Sequence, residues 1–252
     1  MKGKARYQRG IISPYTINIL YQKNPWVTVW WSIAFPGLGY MLLGKPLKGI
    51  IFLVWEILIN MKASINTAIL YSFTGNFELA KQVVDSRWLL IYAGVIIFLM
   101  WDTYHLTQEL NKISILAERE TPSIQFMAIS PFGLNFLSHV NPCLAAIWSA
   151  FIPGLGHIYL RRLIKGFVIM VLWISFAVLS GLYQAIQLTA TGSFTEAASV
   201  LNPQWFLNLP SILVFSIYSS YVVAVEINKL VQAEKNYYLE ENYQDPAFDM
   251  PV

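Results

Sequence analysis

Displaced along itself by 117 residues, the sequence repeats. Over the 103 ungapped positions that set residues 11–113 against 128–230, 32 are identical, well beyond chance. The matches run the whole way. Ser13-Pro14 falls on Ser130-Pro131, Asn24-Pro25 on Asn141-Pro142, Pro36-Gly37-Leu38-Gly39 on Pro153-Gly154-Leu155-Gly156 and Lys48-Gly49 on Lys165-Gly166. Thr74-Gly75-x-Phe77 meets Thr191-Gly192-x-Phe194, Trp88 meets Trp205, and Glu109-x-Asn111-Lys112 meets Glu226-x-Asn228-Lys229. Such a chain is expected to fold as two copies of one unit, and a functional site is expected to be traceable in both. The divisions that follow are a basic N-terminal tail (1–10), repeat 1 (11–113), a linker (114–127), repeat 2 (128–230) and an acidic C-terminal tail (231–252).

Hydrophobic residues make up 56% of the 252 and charged residues 12%, too little polar surface to clothe a soluble globule of this size, so the bilayer is the expected solvent. Apolar runs occupy 26–43, 49–71, 88–101 with its continuation, 144–160, 166–188 and 207–225. The predicted fold class is all-α, a polytopic integral membrane protein whose duplicated unit carries three hydrophobic segments, six in all. The start, with Lys2, Lys4, Arg6 and Arg9, continues into polar, proline-punctuated sequence. It lacks the short apolar core of a secretory signal, so the first membrane segment is expected to be retained. A single cysteine, Cys143, excludes an internal disulfide and a multi-cysteine metal site.

The net charge of +3 is polarised. Residues 1–23 hold five basic and no acidic side chains, whereas 231–252 holds Glu234, Glu240, Glu241, Asp245 and Asp249 against Lys235. A basic segment of this kind lies against anionic headgroups rather than nucleic acid. It predicts a bacterial-type cytoplasmic membrane protein with its N-terminus inside. The acidic tail is read as disordered or as a docking segment for a protein partner.

Within the unit, Ser-Pro reads as a helix start, because the hydroxyl caps a free N–H and proline needs no donor at the first helical position. Asn-Pro repeats the device, giving a short interfacial helix, a break and a first membrane helix. Pro36-Gly37-Leu38-Gly39 and Pro153-Gly154-Leu155-Gly156 then interrupt that helix, as a kink or as a re-entrant bend. Lys48-Gly49 and Lys165-Gly166 open the second segment. Asn60, Ser64 and Ala68, with Ala177, Gly181 and Ala185, fall four apart and predict a stripe for close helix packing. Trp88 and Trp205 read as interfacial anchors of the third segment. Glu109 with Lys112 and Glu226 with Lys229 read as local ion pairs.

Three spans per unit would invert the copies, the plan of many secondary transporters. A dip at Pro-Gly-Leu-Gly would leave four spans and parallel copies. The positive-inside rule is met by both. Basic residues follow the glycine turn in each copy (Lys45 and Lys48; Arg161, Arg162 and Lys165), which favours parallel copies, while Lys81 and Arg87 occur in copy one alone and lean the other way.

Ser149 followed by Pro153-Gly154-Leu155-Gly156-His157-Ile158-Tyr159-Leu160-Arg161-Arg162 and Lys165-Gly166 resembles the signature of the two-transmembrane-domain family, a glycine-rich turn, an aromatic segment and a second helix. The stretch from Pro36 to Gly44 is similar without the histidine. The resemblance covers about 35 residues per copy and implies a membrane hairpin, with no agreed reaction, cofactor or substrate.

Charge inside an apolar segment is the ordinary pointer to function. Glu56, Lys62, Asp102 and His105 qualify as an intramembrane polar site, although their counterparts are Trp173, Leu179, Ser219 and Val222. The alternative is that they snorkel or pair with one another. His105, His139 and His157 have no metal-site spacing, and neither a hydrolase elbow nor a phosphate loop is present. No residue is assigned to catalysis, metal or cofactor. The leading expectation is a non-enzymatic scaffold, accessory or assembly component; the alternative is a small transporter or channel with its path between the repeats.

Overall fold

A computed structural model describes residues 6–120, 124, 126–131 and 133–243. Its first half runs β1 (Gly10–Ser13), β2 (Thr16–Ile19), α1 (Pro25–Ala34), α2 (Leu38–Leu42), α3 (Pro46–Ala63), α4 (Ile65–Phe73), α5 (Phe77–Val83) and α6 (Ser86–Glu120). The second runs β3 (Met127–Ser130), β4 (Gly133–Phe136), α7 (Pro142–Phe151), α8 (Leu155–Tyr159), α9 (Leu163–Leu179), α10 (Leu182–Ala190), α11 (Phe194–Val200), α12 (Pro203–Phe206) and α13 (Leu209–Tyr243). Each first-half element begins 117 residues before its counterpart, with α12 and α13 together answering to α6.

The fold is mostly helical, not all-α. Each Ser-Pro lies at the turn of an antiparallel hairpin where a helix start was expected. Ser13 Oγ accepts from the Thr16 amide and donates to its carbonyl, both at 3.1 Å. The hydroxyl thus closes a turn, and the β-branched Ile11, Ile12, Thr16, Ile17 and Ile19 favour the strands that flank it. Asn-Pro does start helices: Asn24 Oδ1 accepts from the Trp26 amide at 2.9 Å, and Asn141 Oδ1 from the Cys143 and Leu144 amides.

Neither run 26–43 nor run 144–160 forms a single helix long enough to cross a membrane. At Pro36 and Pro153 the chain breaks into helices of ten and five residues. Among the described residues two helices are long and apolar enough to cross a membrane, or up to four spans if α3–α4 and α9–α10, each bent by 63°, count as one apiece. These bends fall at Ser64 (φ 52°) and Gly181 (φ 72°), the middle members of the expected packing stripe. Hinges there divide the stripe between two helices, so its residues do not share one face. Ala177 and Ala185 are buried, whereas Ala68 is partly exposed.

Contacts at the two ends fix the relation of the halves. At one end the hairpins touch, with Asn135 Nδ2 donating to the Ser13 carbonyl at 2.8 Å and the Leu163 amide to the Tyr15 carbonyl at 3.1 Å. The C-terminal parts of both long helices lie there too. Asn111 clamps the backbone N–H and C=O of Lys23, and Asn228 clamps those of Val140 in the same way. At the other end the hinges meet the starts of the long helices, Ala63 near Asp85 and Ser180 near Asn202. Both long helices therefore run the same way, and the halves are co-directional.

Among the described residues, ion pairs at the hairpin end link Lys23 with Glu226 of the other repeat, Arg9 of the N-terminal tail with Glu234 on α13, and Arg6 of the same tail with Glu120 at the end of α6. Among the described residues no ion pair links Glu109 to Lys112 or Glu226 to Lys229. The segment 231–243 is not a disordered tail but the end of α13, with Leu230, Val231 and Ile227 packed under Ile17 of the first hairpin. Asp245 and Asp249 lie outside the described residues, as do Lys2 and Lys4. A second core, Trp31, Phe35, Leu38 and Leu53 against Ile169, Phe176, Ile212 and Phe215, joins the two halves.

The glycine turns set the tightest packing. Gly37 (φ 99°) and Gly154 (φ 103°) lie against the carbonyls of Gly49 and Gly166, so Pro-Gly-Leu-Gly folds back onto the Lys-Gly start of the next helix. A Cβ on Gly156 would collide with the Ala145 carbonyl and the Ser149 hydroxyl. Gly156→Ala is therefore expected to destabilise the protein by about 1–3 kcal/mol. Gly94→Ala, where a Cβ meets nothing, is expected to be neutral or to stabilise by up to about 1 kcal/mol. Thermal unfolding in detergent checks both, and equal midpoints for Gly156→Ala and the parent chain would refute the close crossing.

Candidate functional site

The fold-back brings α2 against the second helix and both against the long helix, and a polar triad forms there in each half. In copy one Tyr40 Oη donates to Asp102 Oδ2 at 2.5 Å, Lys48 Nζ donates to the same oxygen at 2.7 Å, and Nζ sits 4.5 Å from the Tyr40 ring centre. In copy two the residues 117 positions on are His157, Lys165 and Ser219. Lys165 Nζ donates to Ser219 Oγ at 2.6 Å, and the His157 Nε2 to Ser219 Oγ distance is 2.8 Å. The geometry is shared and the chemistry differs: the second half has a hydroxyl where the first has a carboxylate, and an imidazole where the first has a phenol.

The exchange unbalances the second triad. Lys48 has a carboxylate; Lys165, deeply buried, has a hydroxyl. Arg162, also buried, donates to Asn18 Oδ1 at 3.1 Å, and its Nε has no partner, nor does His157 Nδ1. The charge of Glu226 acts on both Arg162 and Lys165, but Glu226 is paired with Lys23.

A separate cluster surrounds Glu56 where the copies meet. Glu56 Oε1 accepts from Asn60 Nδ2 at 3.1 Å and from Tyr92 Oη at 3.5 Å. Asn60 Oδ1 accepts from Gln204 Nε2 at 2.6 Å, and Asn66 Nδ2 donates to the Gln204 carbonyl at 2.9 Å. Glu56 Oε2 has no partner and lines a cavity of about 10 Å³ with Asn60, Gln204, Asn208 and Trp205. A space of this size admits about one water molecule.

The four residues singled out as an intramembrane site are thus not brought together. Glu56 and Asp102 belong to different clusters, since Lys48 and Glu56 are eight residues apart on α3, about 12 Å of helix. Lys62 is exposed, and so is His105, whose ring lies tilted against Trp101 with ring centres 4.9 Å apart. Tyr40, Gln204 and Ser219 escaped sequence reasoning because each is unremarkable alone. Applying the 117-residue offset to facing positions, Tyr40 with His157 and Asp102 with Ser219, is the signal that finds Tyr40 and Ser219; Gln204, whose counterpart is Arg87, carries no such signal.

Compared with protein families, curated proteins and solved structures, the chain finds no match.

The two triads make opposite demands. Asp102→Ala strips Lys48 of its acceptor and is expected to lower stability by about 1.5–3 kcal/mol, the usual worth of a hydrogen bond to a charged group. Ser219→Asp supplies Lys165 with the carboxylate that copy one already has and is expected to raise the unfolding midpoint. A fall for Ser219→Asp as large as that for Asp102→Ala would show that the two positions are not equivalent.

Proposed function

We propose that the chain is a multi-pass protein of the cytoplasmic membrane, built by tandem duplication of a unit resembling the two-transmembrane-domain family, that acts as a non-enzymatic scaffold, accessory or assembly component. In this reading α3–α4, α6, α9–α10 and α13 cross the bilayer, and the Pro-Gly-Leu-Gly segments dip into it and return. The hairpin end, with Arg6, Arg9, Lys23, Lys45 and Arg161, faces the cytoplasm.

The observation that carries this reading is the co-directional pair of long helices clamped at one end. Thirty-five residues of α13 extend about 52 Å, roughly 20 Å more than the hydrocarbon layer of about 30 Å. Hairpins, asparagine clamps and ion pairs brace the excess length. The braced end presents Tyr238, Leu239, Glu240, Glu241 and Tyr243, all exposed, a rigid acidic and aromatic post suited to docking a partner. Polar groups within the apolar layer are spent largely on helix-to-helix bonds. The unpartnered oxygen of Glu56 favours the second reading, a transport path between the copies.

Single reporter cysteines in a Cys143→Ser chain test the topology. Lys45→Cys and Glu240→Cys are expected to react with an impermeant thiol reagent from one side, and Asn76→Cys and Ser193→Cys from the other. The scaffold role predicts a defined partner crosslinked in cells through Tyr238, with at least a tenfold lower yield in Glu240→Lys/Glu241→Lys. Solute flux in reconstituted vesicles that is abolished by Glu56→Gln would replace the scaffold reading by transport.

A further inference from the structure

Equivalent faces of the two hairpins have different fates. In β1–β2 the face carrying the cross-strand pair Ile12 and Ile17, with Ile19 beside it, is packed beneath Ile227 and Leu230 of α13. In β3–β4 the same face carries the pairs Met127–Phe136 and Ile129–Leu134, and it is open: Met127 is 51% exposed, Ile129 74%, Leu134 58% and Phe136 38%. A two-stranded hairpin is marginal in water by itself, and an open apolar face on it marks a surface that something covers.

Three features decide what covers it. The first is level. Arg161 Nη1 donates to the Phe136 carbonyl at 2.5 Å, and its guanidinium lies 3.4 Å from the Phe136 ring centre. Arg161 stands two residues before α9, whose outward-facing Ile164 and Phe167 begin the apolar belt. The hairpin is therefore tethered at the edge of that belt, within about one helical turn of 5.4 Å.

The second is charge. No acidic residue occurs between Glu120 and Glu196, while Arg161 lies beside the open face. The third is backbone conformation. Arg161 has a left-handed φ of 59°, at the position where copy one has Gly44 at 73°. A side chain is held where glycine is the easy choice, and what it does there is bind Phe136.

We propose that β3–β4 is an interfacial anchor: Met127, Ile129, Leu134 and Phe136 enter the boundary between headgroups and acyl chains of an anionic leaflet, and Arg161 meets a lipid phosphate. Apolar burial at headgroup depth combined with a basic residue is the general chemistry of monotopic attachment. The anchor rests on the membrane reading of the long helices and is independent of the scaffold role.

The test uses the full chain with Cys143→Ser, carrying a bimane label at Ile129→Cys, Ile11→Cys or Leu90→Cys, in nanodiscs containing phosphatidylglycerol. At position 129 the label is expected to be quenched by lipid bearing a shallow nitroxide and to be several-fold less accessible to iodide than at position 11, which is exposed on the first hairpin. In phosphatidylcholine alone, or with Arg161→Gln, the ratio of inserted to free hairpin is expected to fall about fivefold, the partition factor of one basic residue at an anionic surface. The lipid comparison needs no change at Arg161, so it stands even where that variant misfolds. Free iodide access at 129 overturns the anchor. Protection from both quenchers also overturns it, pointing to coverage by protein such as a second copy. Absence of deep-nitroxide quenching at position 90 on α6 would instead refute the membrane reading itself.

Discussion

The turn at Pro-Gly-Leu-Gly is the constraint on which the architecture depends. Backbone that leaves the helix within an apolar layer has to bury its polar groups against protein. Here it does so by laying Gly37 on Gly49 and Gly154 on Gly166, at contacts too short for any Cβ. Because the first segment of each unit folds back there, its apolar length is used without forming a crossing helix. The two halves then lie side by side with their long helices running in the same direction.

That direction has consequences for chemistry. Co-directional copies put both hairpins, both sets of basic residues and both long-helix ends in one layer, where a single surface can be braced. They also place equivalent polar positions at equal depth, so divergence between copies reads out as local imbalance. Asp102 answers Lys48, while Lys165 faces Ser219 and His157. Ile17 finds α13 above it, while Leu134 is left open. Two similar halves in one chain cannot have identical surroundings unless the arrangement closes on itself.

Much of the fold was legible from residue chemistry. The 117-residue offset, the Asn-Pro caps and the helix break at the glycine turn are each local, decided by which backbone donors lack a partner and which dihedrals a residue tolerates. The hairpins were not legible in that way, since Ser-Pro can cap a helix or close a turn and the choice falls to the flanking isoleucines. The packing stripe failed for a related reason: spacing by four marks one face only while the helix stays straight, and Ser64 and Gly181 are hinges.

By itself the sequence determined the long apolar runs, the internal similarity at an offset of 117 residues and the points where helices must break, because hydropathy and backbone hydrogen bonding act over a few residues. Tertiary structure alone decided the parallel relation of the copies, the Tyr40–Lys48–Asp102 and His157–Lys165–Ser219 triads, the Glu56–Asn60–Gln204 cluster and the one hairpin face left uncovered. Each of these joins residues from distant parts of the chain, and their energies depend on which helix lies against which, a property of packing that no local pattern encodes.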